Sequence, residues 1–165
     1  MHEAALIVSS TDLSPQECYR AVLAATGALI PAGTERIAAM ANLASLLYHS
    51  LPALNWCGFY RLVGERLIVG PFQGKPACVE IPIGRGICGR AAALRQTVIV
   101  RDVTSDPDHI ACDPASRSEI VVPLIEGGTL VGVLDLDSPS VGRFSEDDAY
   151  WLGEITGKML ENSQP

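Results

Sequence analysis

Residues 119–137, EIVVPLIEGGTLVGVLDLD, decide the fold. Two apolar runs of strand length flank Glu126-Gly127-Gly128, and glycine supplies the backbone freedom that a tight hairpin turn needs, so the stretch reads as an antiparallel β-hairpin. Nearly every position on both arms is apolar, which sets the pair at the centre of a sheet covered on both faces. Carboxylates need a reason to be there. Asp135 and Asp137 alternate with Leu134 and Leu136 and so share one face, and a buried acid is costly without a partner or ligand. Register decides whether Glu119 joins them. A two-residue Gly127-Gly128 loop sets Glu119 opposite Leu136, whereas a three-residue Glu126-Gly127-Gly128 loop sets it opposite Asp135 and builds an acidic pocket. The plainer alternative is a pair of acids at the solvated end of a strand, ahead of the Ser138-Pro139 turn.

Upstream, NWCGFYRLV (55–63) and RLIVGPF (66–72) flank Gly64-Glu65 and read as another hairpin. Alternation turns Trp56, Gly58, Tyr60 and Leu62 one way and Cys57, Phe59, Arg61 and Val63 the other. Packing alone explains Trp56 and Tyr60, but a glycine between two large aromatics also leaves room for a ligand against the rings. A short strand at about Cys78–Ile83 and a helix at about Gly86–Arg95 follow. Gly84-Arg85-Gly86-Ile87-Cys88-Gly89 fits the dinucleotide-binding pattern G-x-G-x-x-G. We reject that reading, because the helix is short, Pro82 suits an edge strand, and a hairpin follows rather than further βαβ units. Cys88 then sits at a helix start, where the dipole lowers a thiol pKa.

The flanking segments are helical. Ser14-Pro15-Gln16-Glu17 is a capping box with proline in the first turn, and Cys18, Val22, Ala25 and Leu29 form the inner stripe of the helix it opens. A second helix, about Thr34–Ser50, is expected to bury Ile37, Met40, Ala41, Ala44, Leu47 and Tyr48, with His49 solvated at its end. Ser145-Glu146-Asp147-Asp148 caps a last helix that packs inward through Leu152, Ile155, Met159 and Leu160. Helices, a meander of short antiparallel strands and a closing helix make an α+β class with a central antiparallel sheet. The expected organisation is one domain over 1–165, with a helical segment at about 14–50, sheet and active-site loops at about 55–137, and a closing helix at about 145–160.

Composition bounds the function. The 165 residues are 48% hydrophobic and 19% charged, enough for one well-buried core. A net charge of −7 opposes nucleic-acid binding, and no run approaches the ~18 apolar residues of a membrane span. The N-terminus lacks the basic start and small-residue cleavage site of a secretory signal, so a cytoplasmic location is expected. In that reducing setting five cysteines are not a disulfide framework. Their spacing holds no C-x2-C pair, which counts against a metal site. Cys18 belongs to a helix core, but Cys78, Cys88 and Cys112 lie in polar stretches, where a thiol can ionise and react. Cys112 is the sharpest of them. It sits in a polar segment (101–118) longer than the ~12 to 15 residues usual for an unstructured connection, a length that marks functional loops. His109 and Arg117 could favour its anion and Asp113 oppose it. His109 reads as a donor that orders the loop rather than as a general base.

NWCGFY, GPFQGKPACVEIPIGRGICG, HIACDPASRSEIVVPL and GVLDLDSPSVGRF together resemble the free methionine-(R)-sulfoxide reductases, a GAF-domain enzyme family, over about Asn55–Asp148. The cysteine trio in K-P-A-C, G-x-C-G and H-I-A-C-D makes the match specific. Cys57 departs from it, since a small residue such as alanine is expected there. The resemblance implies reduction of free L-methionine-(R)-S-oxide, with Cys112 as nucleophile and a sulfenic acid resolved by Cys78 or Cys88 into a disulfide. It implies Glu119 or Asp137 as proton donor, Trp56 and Tyr60 around the S-methyl group, and Asp135 with the other acids on the substrate ammonium. No bound cofactor is expected. Thioredoxin is the expected electron donor, and a homodimer the default assembly. The rival from another class is a non-catalytic GAF module that binds a small metabolite or senses redox state.

Overall fold

Antiparallel pairing organises the molecule, which is described by a computed structural model for residues 13–109 and 113–165. Six strands form one sheet in the order β4-β3-β2-β7-β6-β5. They are β2 (Trp56–Val63), β3 (Arg66–Gly74), β4 (Glu80–Pro82), β5 (Val98–Val100), β6 (Ser118–Glu126) and β7 (Thr129–Ser138). The hairpin read from residues 119–137 is β6-β7, and β7 with β2 forms the centre of the sheet. Helices α1 (Pro15–Leu29), α2 (Arg36–Ser50) and α4 (Glu146–Asn162) pack with one face, where Cys57, Phe59, Ile120, Val122, Leu134 and Leu136 meet Val22, Leu43, Leu47, Leu152 and Ile155. Helix α3 (Gly86–Leu94) covers part of the other face, over Tyr60, Val121 and Val133.

Local chemistry explains the helix ends. Ser14 and Ser145 each accept from the backbone N–H three residues on, and Glu17 and Asp148 accept in return, satisfying donors that a first turn leaves free. Helix α2 starts later than its pattern predicts, with Glu35 as its cap. Thr34–Glu35 is instead a short strand, β1, paired in parallel with β8 (Ser163–Gln164). Its inner face is also rotated. Ile37 and Ala41 are exposed, and Ala39, Leu43 and Leu46 are buried in their place. That helix is apolar nearly all round, so its period does not select the face that meets the sheet. Leu29, Tyr48 and Leu160 are half-buried at the margin of this core, and His49 stands exposed in the last turn of α2.

The register of β6 and β7 follows neither sequence expectation. Glu126 pairs with Thr129 across a two-residue Gly127-Gly128 turn, but a bulge between Leu124 and Ile125 shifts the ladder by one. Glu119 therefore faces Asp137, not Leu136 or Asp135. A bulge seats one extra residue on one strand, here Val131, and so keeps Glu119 on the face of both aspartates.

The glycines of the G-x-G-x-x-G stretch serve packing. Gly84 and Gly86 have φ of 84° and 63°, and a Cβ on Gly89 would lie 2.5 Å from the Pro82 carbonyl oxygen. Gly89→Ala should therefore push α3 off β4 and cost about 1–3 kcal/mol. Gly153→Ala, on α4 with nothing within 4 Å of the new methyl, should stabilise by about 0.5–1 kcal/mol. Thermal denaturation of the two variants should shift in opposite directions.

Candidate active site

The sheet face beneath α3 opens into a cavity whose walls hold Trp56 and Tyr60 from β2, Cys88 from α3, Glu119 from β6, and Asp135 and Asp137 from β7. Strand alternation produces this set, since each residue shares a sheet face with the next while Cys57 and Phe59 point into the opposite core. Counted out into the solvent at its mouth the hollow measures about 530 Å³, and only about 30 Å³ of it admits the centre of a water molecule. The walls therefore stand close together, with room for about two waters.

One end is aromatic. Trp56 stacks on Phe72 and Tyr60 at centroid distances of 5.3 and 6.0 Å, and its indole N–H donates to the Lys75 carbonyl at 3.1 Å. The Tyr60 hydroxyl donates to the Cys78 carbonyl at 3.2 Å. Beside Gly58 there is no room for a ligand, contrary to the sequence expectation, because a Cβ there would lie 2.3 Å from Phe72 Cβ and 2.7 Å from the Trp56 ring. Gly58 admits the Phe72 side chain instead.

The other end is acidic and dry. Glu119 is 6% and Asp135 7% exposed, which removes the reading of a solvated strand end for Asp135, while Asp137 is half-buried at the cavity wall. Burial, then the charges of Asp135 and Asp137, raises Glu119 well above the usual carboxylate range. Asp137 is raised well above it by burial and by Asp135. Burial also raises Asp135, to about 7, against hydrogen bonds from Cys88 and Glu119 that lower it. Cys88 Sγ donates to Asp135 Oδ2 at 3.3 Å. The expectation that a helix start activates Cys88 fails: burial and the charges of Asp135 and Glu119 push this thiol well up, and they outweigh a dipole worth about 0.3–1 kcal/mol at an ordinary helix end.

The polar segment reaches the cavity from the described residues on either side of 110–112. His109, Asp113 and Ser116 line it. His109 Nε2 stands 3.9 Å from Glu119 Oε2, and burial lowers its pKa, so the ring is neutral at pH 7. Arg117 is drawn to Asp102 at 3.3 Å. Asp113 is held by Lys75 at 3.2 Å and by the Asn55 side chain at 3.3 Å, and the same amide donates to Ser116 Oγ at 3.0 Å. Sequence reading missed Asn55, Lys75 and Ser116, whose partners lie far along the chain, and Phe72, which alternation on β3 could have placed. Cys78 is half-buried and packs beside the aromatic end. Cys112 lies outside the described residues.

A GAF domain model matches residues 15–162. Over 132 residues the chain is 47% identical to the free methionine-R-sulfoxide reductase of Escherichia coli, covering 80% of each. The chain belongs to the GAF domain family, among the free methionine-R-sulfoxide reductases. The Saccharomyces cerevisiae reductase of that name is 36% identical over 98% of this chain and 94% of its own. The Neisseria meningitidis reductase, solved in complex with its substrate, superposes with a TM-score of 0.87 at 41% identity, covering 94% of this chain and 95% of that one. The family resemblance read from the four motifs is thereby established, and so is the α+β GAF fold.

In this GAF domain the buried acids cost stability. Asp135 is raised from 3.8 to about 7, so between those values the folded state holds the extra proton and stability falls as pH rises. Asp135→Asn removes the burden while keeping an oxygen for the Cys88 thiol. Its gain should be near zero at pH 4 and grow to roughly 2–4 kcal/mol above pH 7, a rise of several degrees in Tm. Calorimetric scans of both proteins across pH 4–8 check this; a constant difference would refute it.

Proposed function

We propose that this protein reduces free L-methionine-(R)-S-oxide to methionine by a cysteine thiolate mechanism recycled by thioredoxin. The observation that carries the reading is one narrow cavity with aromatic rings at one end and three proton-holding acids at the other, in a chain 47% identical to the E. coli reductase. Trp56 and Tyr60 suit the S-methyl end of the substrate.

The thiolate attacks the sulfoxide sulfur and forms a transient sulfur–sulfur bond, leaving negative charge on the oxygen. Once protonated, that oxygen passes to the cysteine sulfur as the S–O and S–S bonds break, which leaves a sulfenic acid on the cysteine and two electrons on methionine sulfur. The oxygen must be protonated for this transfer. Glu119 or Asp137, held protonated by burial, can supply that proton. A second thiol condenses with the sulfenic acid, releasing water and forming a disulfide, which a thioredoxin dithiol reopens by exchange. Cys112 is the proposed nucleophile, and Asp113, its covalent neighbour, lines the cavity. Of the resolving candidates, Cys78 is favoured over Cys88, whose thiol is held protonated in the buried wall. Asp135, raised only to about 7, is the acid of the three that ionises most readily and holds the substrate ammonium, which a peptide-bound methionine sulfoxide lacks. No bound cofactor takes part in this sequence, and the reducing cytoplasm suits it.

The test is methionine release from free R and S epimers and from an N-acylated peptide form, with thioredoxin, its reductase and NADPH. Only the free R epimer should turn over. Binding of the R epimer without turnover would replace the reductase by a GAF sensor module.

A further inference from the structure

Cys88, Glu119 and Asp135 each present a ligand atom to one corner of the cavity, and these atoms all lie within 4.8 Å of one another. Cys88 Sγ and Asp135 Oδ2 are 3.3 Å apart. Zinc bonds of ≈ 2.3 Å to sulfur and ≈ 2.0–2.2 Å to oxygen put neighbouring donors of a tetrahedral shell roughly 3.4–3.6 Å apart, a spacing that Cys88 and Asp135 nearly hold and that Glu119, within 4.8 Å of both, reaches by moving inward. The other carboxylate oxygen of Asp135, Oδ1, has no hydrogen-bond partner among the described residues, although the residue is only 7% exposed and lines the cavity. A buried acceptor without a partner is costly and marks a place where something binds. His109 Nε2 stands 3.9 Å from Glu119 Oε2, outside the set of donors that lie within 4.8 Å of one another, so it becomes a fourth donor only by moving inward, and water is the alternative. One sulfur, two carboxylates and an imidazole suit zinc and its neighbours, not magnesium or calcium, which take oxygen shells. Cysteine spacing could not reveal this set, because its members come from α3, β6 and β7.

We propose that the reduced protein binds one divalent cation of the zinc class through Cys88, Glu119 and Asp135, with His109 or water completing the shell, and that this cation and the sulfoxide substrate exclude each other. The proposal rests on the reading of this cavity as the substrate site. On binding, the Cys88 thiol gives its proton to water as the sulfur–metal bond forms, and no electrons move. The site is an inhibitory one, since the metal takes the acids that the reaction needs.

Anaerobic titration of the reduced protein with Co²⁺ tests it. One equivalent should bind, giving the visible bands of tetrahedral cobalt and a near-ultraviolet thiolate-to-cobalt band, both erased by Zn²⁺. Cys88→Ser should remove the near-ultraviolet band, and Asp135→Asn should weaken binding by about tenfold or more. Cys112→Ser and Cys57→Ser should keep the band, the second because Cys57 lies in the opposite core. Failure to take up cobalt, or a band that survives Cys88→Ser and is lost in Cys112→Ser, overturns the proposal. Calorimetry should show the R epimer failing to bind the zinc-loaded protein; simultaneous binding overturns the exclusion. Cobalt uptake is read without turnover, so uptake by a protein that reduces no sulfoxide sinks the reductase reading and leaves the metal site standing, and the reverse result sinks the metal site alone.

Discussion

Cys112→Ser is expected to lose turnover of the free R epimer by on the order of a thousandfold or more. The argument is one of protonation. Sulfur attacks as the thiolate, and burial raises the thiol pKa of Cys18, Cys57 and Cys88, the last two well above the ordinary value. The proposed nucleophile is Cys112, with Cys78 as the contrast. Single-turnover assays separate them: Cys78→Ser should release about one methionine per chain and then stall with thioredoxin as the only reductant, whereas Cys112→Ser should release none. Cys88→Ser should form the disulfide still. Full activity in Cys112→Ser would move the nucleophile to Cys78.

Glu119→Gln should lower kcat by about 10²–10⁴ and leave KM within a few fold. Glutamine keeps the shape and a hydrogen-bond donor but cannot hand over a proton. Burial and the charges of Asp135 and Asp137 raise the Glu119 pKa well above the usual carboxylate range, which favours its protonated form, and a reaction that uses this proton slows as pH rises through the raised value. The alkaline limb of kcat should therefore disappear in the variant. Asp137→Asn serves as the contrast. Its main effect should fall on KM if it binds the ammonium, and an exchange of these two signatures would reverse the roles of the two acids.

Much of this was legible in the chain. Period-two alternation placed Trp56 and Tyr60 on one face of β2 and Cys57 on the other, and the side chains lie so. The pairing of Asp135 with Asp137 on one face was readable because they alternate with Leu134 and Leu136. Register was not, since a bulge at Leu124 leaves no mark in a run that is apolar at every step. Cys88 shows a different limit. The sequence reveals the helix start that would favour its anion, but the two acids that oppose it arrive from strands more than thirty residues away. The face of α2 escaped for a third reason, because a helix apolar on all sides is oriented by its neighbours.

Cys57 and Cys88 stand on opposite sides of the same sheet, and both are buried, Cys88 in the wall of the cavity. The sheet thus acts as an insulator between two sulfur compartments. Oxidant or metal that enters the cavity meets Cys88, while Cys57, next in sequence to Trp56, is shielded by one layer of backbone and by its place in a dry core. Under the proposed mechanism, sulfur chemistry in one compartment would leave the other untouched. Native mass spectrometry of alkylated protein should accordingly find Cys57 unlabelled for as long as the fold persists.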